Sequence, residues 1–172
     1  MIKMNTLLLF LVGLGAIVQY SESMKLVCYF SNWSQYRNGA GKFFPENVDP
    51  SLCTHLIYAF GGIKNNQITA YEWNDDNTDW SKGLYERTMN LKQKNPNLKV
   101  LLAIGGWNLA SEPFTKIVSN SATMDNFVST SITFLKQRKF DGLDLDWEYP
   151  ANRGSPPEDR DRFSELCRRL SK

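Results

Sequence analysis

The sequence has no long run of like charge, no glycine-rich phosphate loop, no internal repeat and no low-complexity tract. With 20 basic and 18 acidic side chains the net charge is +2, so neither nucleic acid nor an anionic membrane is called for as a partner. Histidine is almost missing. His55 stands alone, at the start of an apolar run, and reads as a hydrogen-bonded structural residue rather than a catalyst. Long hydrophobic runs are scarce as well. The run Leu7 to Val18 spans about a dozen residues, too short for a comfortable membrane span. Flanked by Lys3 before it and Tyr20-Ser21-Glu22-Ser23 after it, the run has the layout of a secretory signal peptide over residues 1–23. The competing reading is a membrane anchor. Secretion, once the leader is removed, predicts an extracellular protein with no membrane attachment.

Cysteine is sparse and odd in number. Cys28, Cys53 and Cys167 would mature in an oxidising compartment, where thiols tend to pair. Two readings of the odd cysteine stay open: Cys167 has a partner in sequence not present here, or it is a buried inert thiol on a helix. What is abundant is aromatic, 13% of 172 residues. Flat rings with polar rims are what pyranose faces stack on, although most aromatics in any globular protein are core. The length suffices for one domain with a real core.

The most informative stretch is Asp141-Gly142-Leu143-Asp144-Leu145-Asp146-Trp147-Glu148-Tyr149-Pro150. If it is extended, side chains alternate, so Asp144, Asp146 and Glu148 share one face and Leu143, Leu145 and Trp147 the other. Three neighbouring carboxylates cannot all ionise cheaply, so at least one pKa is expected to rise and leave a protonated acid near neutral pH. A general acid requires this. Glu148, last on the row and nearest the cleft, is the best candidate for that acid. Asp141, of opposite parity, is expected to be structural. A solvated acidic face is the bland alternative, but no lysine or arginine lies between Asp141 and Pro150 to neutralise it. A divalent-metal site is the other alternative, and no histidine ligand or phosphate loop accompanies it. No metal and no cofactor are expected.

Along the chain, Lys25 to Phe30, Thr54 to Phe60, Leu98 to Ile104 and the carboxylate stretch read as strands. Ser31 to Pro50 reads as an irregular surface loop, and Gln67 to Asp79 as a loop or hairpin beside the cleft. Helices are expected over Leu84–Lys94, over Thr123–Arg138 with Phe127, Ile132, Phe134 and Leu135 as core contacts, and beyond Pro157 with Phe163, Leu166, Cys167 and Leu170 at helical spacing. Gly105-Gly106 ends the third strand where missing side chains let the backbone approach something closely. Apolar strand followed by helix is the pattern of a parallel α/β architecture. Aromatic and acidic residues gather at the strands' C-terminal ends, in Tyr29, Phe60, Trp107 and Glu148, which favours a (β/α)8 TIM barrel over an open sheet.

The spacing Asp-x-x-Asp-x-Asp-x-Glu from Asp141 to Glu148 resembles the signature of family 18 glycoside hydrolases, the chitinases and chitinase-like lectins. Cys28-Tyr29-Phe30-Ser31-Asn32-Trp33, Leu56-Ile57-Tyr58-Ala59-Phe60, Glu72-Trp73-Asn74-Asp75 and Ala103-Ile104-Gly105-Gly106-Trp107-Asn108 resemble family segments in family order, so the likeness runs from about Lys25 to the end. The resemblance implies a Cys28–Cys53 disulfide. It implies retaining cleavage of β-1,4 bonds between N-acetylglucosamine units, in which the substrate's own N-acetyl oxygen attacks the anomeric carbon. Glu148 would be the general acid/base, Asp146 would hold the acetamido N–H and share a proton with Glu148, and Asp144 would tune Asp146. Tyr29, Phe60 and Trp107 would line the cleaved sugar's subsite, with Glu72, Trp73, Gly105, Gly106, Asn108 and Tyr149 as further contacts. Asn32-Trp33-Ser34 matches a glycosylation sequon but falls in the implied cleft, so modification is not expected. The implied partner is chitin or a chito-oligosaccharide, and the implied enzyme an endo-acting chitinase. Retention of all three acids argues against a non-catalytic glycan-binding lectin, the alternative within the family.

A complete barrel takes about 250 residues or more. Residues 24–172 therefore read as the N-terminal part of a catalytic barrel, about its first four βα units. The expectation for this polypeptide alone is little or no turnover.

Overall fold

The structure, a computed structural model, describes residues 24–172, and the predicted leader over residues 1–23 lies outside them. Among the described residues five strands are formed: β1 (Val27–Ser31), β2 (His55–Lys64), β3 (Gln67–Thr69), β4 (Lys99–Gly105) and β5 (Gly142–Asp146). β1, β2, β4 and β5 pair in parallel in that order, with Tyr29 opposite Ile57, Leu101 opposite Gly142 and Ala103 opposite Asp144. β3 folds back on the far end of β2, where Asn65 and Asn66 take the left-handed conformation (φ 52° and 58°) that a two-residue hairpin turn requires.

The described residues also form four α-helices: α1 (Leu84–Met89), α2 (Glu112–Val118), α3 (Ser121–Arg138) and α4 (Asp159–Leu170). They cover one face of the sheet. Leu56, Tyr58, Val100, Leu102 and Ile104 on that face pack into one core with Leu84, Tyr85, Phe114, Ile117, Phe127 and Leu166 from the helices. The opposite face carries the separate cluster Ile57, Ala59 and Ala103, flanked by Phe60 and Leu101. Helices that cover one face of a parallel sheet are the arrangement of a (β/α) barrel; a doubly wound sheet would need helices on both. No described helix is long and apolar enough to cross a membrane.

Four expectations need correction. The segment Ser31 to Pro50 is irregular as expected, broken by Pro45, Pro50 and the Asn38-Gly39 turn into 3₁₀ turns at Asn32–Tyr36, Gly39–Gly41 and Pro45–Asn47, but it is not wholly superficial, because Asn32, Ser34 and Gln35 are buried. Between β4 and β5 there are two helices, the extra one being α2, which starts with Pro113 in its first turn. Ile132 is 41% exposed and not a core contact. The buried face of α3 runs Met124, Phe127, Ser131, Phe134 in steps of three and four, so Ile132 points about 100° away from Ser131. The helix expected to reach Lys94 tightens after Met89 into a 3₁₀ turn at Asn90–Gln93.

The Cys28–Cys53 disulfide is formed, and Cys167 is a half-buried free thiol. His55 Nδ1 meets Thr54 Oγ1 at 2.8 Å, in keeping with a structural histidine. Asp141 is structural too: its Oδ2 accepts from Lys92 Nζ at 2.5 Å and Val100 N at 2.6 Å. Burial pushes the Asp141 carboxyl up, but those two bonds and the charges of Lys92 and Lys99 outweigh it and hold it below the usual aspartate value.

Candidate active site

The carboxylate row is fixed by what lies behind it. Leu143 and Leu145 pack against the helix-covered core, and the buried Trp147 ring stacks on Phe114 at 5.1 Å and meets Phe163 edge-on at 5.7 Å. Strand alternation then turns Asp144, Asp146 and Glu148 to the other side, each half-buried. Tyr29 on β1 donates its hydroxyl to Asp144 Oδ2 at 2.8 Å. β1 and β5 lie three strand spacings apart, roughly 14 Å across a flat sheet. A tyrosine bridging those edges requires the sheet to curl, as a barrel wall does.

Charge in the row is crowded. The Asp146 carboxyl is pushed up by burial, then by the charges of Glu148 and Asp144. The Tyr29 hydroxyl is pushed up to about 12 by burial, by its bond to Asp144 and by the charges of Asp144 and Asp146. Among the described residues no grouping of three or more His, Cys, Asp or Glu side chains is arranged to hold a metal ion.

A cavity of about 460 Å³ opens beside the row, lined by Asn32, Trp33, Tyr36, Phe60, Gly61, Tyr71, Glu72, Gly105, Gly106, Trp107, Asn108 and Leu109. Gly105 (φ 123°) and Gly106 (φ 80°) shape its floor. A Cβ on Gly105 would collide with the Asp146 carbonyl, and one on Gly106 would come within 2.9 Å of the Phe60 ring. The Gly106 N–H donates to Asp146 O at 2.8 Å, tying the end of β4 to the carboxylate strand. Phe60 is half-buried and stacks on Trp33 at 6.0 Å, so it serves both packing and cavity wall.

Glu72 reaches the cavity through its loop. Both Tyr71 N and Glu72 N donate to Asp75 Oδ2, at 2.9 and 2.8 Å, while Tyr58 donates its hydroxyl to Asp75 Oδ1. Tyr36 donates to Glu72 Oε2 at 2.5 Å, which raises the Tyr36 hydroxyl above its usual value.

Of the residues singled out from sequence, the cavity therefore unites Phe60, Glu72, Gly105, Gly106, Trp107 and Asn108. The carboxylates Asp144, Asp146 and Glu148 adjoin this lining without forming part of it. Tyr29 borders a separate groove along β1, and Trp73 (79% exposed) and Tyr149 (50%) stand outside the lining. Asn32 is buried and donates to Phe60 O at 3.0 Å, so its amide is spent inside the wall rather than offered as a glycosylation acceptor. Sequence reasoning missed Trp33 and Tyr36, which line the cavity. Spacing was the available signal, since residues three apart in a 3₁₀ turn lie on one side.

The profile described as Glycosyl hydrolases family 18 matches residues 25–172. Chitotriosidase-1 of Mus musculus is 48% identical over 156 residues, covering 91% of this chain and 32% of that protein. An immunomodulatory active chitinase from Trichuris suis superposes with a TM-score of 0.76 at 38% identity, over 86% of this chain and 38% of the other. Human YKL-39, a pseudo-chitinase with retained chitooligosaccharide binding, superposes with a TM-score of 0.74 at 41% identity, over 86% and 37%. The chain spans about a third of the length of the curated relatives it matches.

Proposed function

The chain belongs to glycosyl hydrolase family 18, and from that premise we propose that it carries the acid-bearing part of a chitinase active site. The reaction is cleavage of β-1,4 bonds between N-acetylglucosamine units, with retention of anomeric configuration. The observation that supports it best is the half-buried row Asp144, Asp146, Glu148 beside an aromatic cavity, with the Asp146 carboxyl raised by burial and by its two neighbours.

Glu148 protonates the glycosidic oxygen of the leaving sugar. The N-acetyl oxygen of the retained sugar closes on the anomeric carbon from the opposite face, so that no protein nucleophile is required. Asp146, whose carboxyl binds a proton more readily than an ordinary aspartate, holds the acetamido N–H and shares its proton with Glu148. Asp144 stays fixed by Tyr29 and adds its charge to the burial and the Glu148 charge that raise Asp146. Glu148 then accepts the proton of the water that opens the cyclised intermediate, which restores the acid. Phe60 and Trp107 offer ring faces to the sugars, and Glu72 and Asn108 offer polar contacts; Tyr29, Trp73, Gly105, Gly106 and Tyr149 complete the proposed contact set. Chitin or chito-oligosaccharides are the substrates, an endo mode of attack and secretion complete the reading, and the 172-residue polypeptide alone turns over little or none.

Stereochemistry tests it. Proton NMR of fresh products from the natural protein acting on tetra-N-acetylchitotetraose is expected to give the β-anomer first, with de-N-acetylated tetramer left uncut. Release of the α-anomer first, or equal cleavage of both tetramers, would overturn the mechanism. A second reading, glycan binding without turnover, draws support from the likeness to YKL-39; tetramer binding with no products would establish it.

A further inference from the structure

We propose that Arg153 is a positioning residue that clamps the Trp107 indole and the Glu148 peptide into one unit at the mouth of the cleft. The proposal deepens the carbohydrate reading above and rests on it for its functional meaning. Trp107 is 61% exposed on a short 3₁₀ turn, and among the described residues no aromatic ring packs on it. Left to itself, such an indole would swing about two side-chain torsions. The Arg153 guanidinium lies over it instead, 3.7 Å from the ring centroid. That leaves the opposite face open to a pyranose ring.

The same guanidinium reaches the acid. Its Nη1 donates to Trp107 O and to Glu148 O, each at 3.1 Å, and so joins segments 41 residues apart that flank the cleft. Among the described residues Arg153 pairs with no carboxylate. Its charge is therefore directed at two carbonyls and a ring face. The loop that presents it is built for the purpose: Ala151 and Arg153 are left-handed (φ 62° and 50°), and Ser111 Oγ donates to Tyr149 O and Asn152 O at 3.3 and 3.0 Å. Below them Ala151 N donates to Ser155 Oγ at 3.0 Å, and Ser155 Oγ donates to the buried Asp159 at 2.8 Å. A planar fork can stack and donate at once, which an ammonium cannot, so lysine is a poor substitute.

The test uses the protein with Arg153→Ala and Arg153→Lys, read by the indole 15N–1H signal of Trp107, by titration with tetra-N-acetylchitotetraose and by thermal unfolding. In free Arg153→Ala the Trp107 signal is expected to shift and broaden at an unchanged melting temperature, and the tetramer to bind about tenfold more weakly. Arg153→Lys is expected to restore neither. An unmoved Trp107 signal, full rescue by lysine, or equal affinity of wild type and Arg153→Ala would overturn the clamp. If Arg153→Ala does not fold, Arg153→Lys alone decides, since wild-type signal and affinity in that variant overturn it. Failure of the wild type to bind tetramer would instead overturn the carbohydrate reading, while a shifted Trp107 signal in free Arg153→Ala would still support the geometry.

Discussion

Asp146 lies between two like charges, and its ionised form is disfavoured first by burial and then by Glu148 and Asp144. In the folded protein it therefore takes up its proton at a higher pH than in the unfolded chain. Between the ordinary aspartate value near 4 and the raised one, the folded state binds more protons, so stability falls as pH rises through that window. Asp146→Asn removes the ionised group. Urea unfolding is expected to show the variant more stable than wild type at neutral pH, with the gain fading as pH drops through the window. A gain independent of pH would mean that the crowding of the row is not its cause. The carboxylates were legible in the sequence because period-two alternation, unlike a three-dimensional contact, is written into consecutive residues.

Elements place what residues alone cannot. The loop bearing Glu72 is pinned by Asp75, whose carboxylate receives two backbone N–H groups and the Tyr58 hydroxyl. Asp75→Ala leaves the buried Tyr58 hydroxyl and the two part-buried N–H groups of Tyr71 and Glu72 without this partner, and chemical denaturation is expected to show a loss of about 2 kcal/mol or more. Loss below about 1 kcal/mol would mean that the loop is held by other contacts. β1, β2 and β4 were legible from their apolar runs and β5 from its alternation, whereas the three-residue β3 was covered only by a loop-or-hairpin reading; α3 and α4 were legible as helices. α2 was not, because a seven-residue helix offers barely two turns of pattern. Ile132 was misread because hydrophobicity alone does not reveal that Ser131 occupies the inward position on α3. Arg153 was invisible, since its partners Trp107 and Glu148 meet it only through the loop following β5.

At the scale of the molecule, four parallel strands with helices on one face curl far enough for Tyr29 on one edge to bond Asp144 on the other. The curl collects strand ends at one rim, where the carboxylates, the Gly105-Gly106 turn and the aromatic cavity meet. The disulfide belongs to the same scale. Cys28 on β1 and Cys53 just before β2 are 25 residues apart, and closing a loop of that length stabilises by about 3 kcal/mol. Replacing both cysteines by serine is expected to lower unfolding free energy by about that amount, and an unchanged midpoint would show the strand pairing to be sufficient alone. The most direct test of the catalytic reading is turnover of tetra-N-acetylchitotetraose by the natural protein and its Glu148→Gln variant. A fall in kcat of about 100-fold or more with KM little changed is predicted; equal rates would contradict the assignment of Glu148 as the general acid.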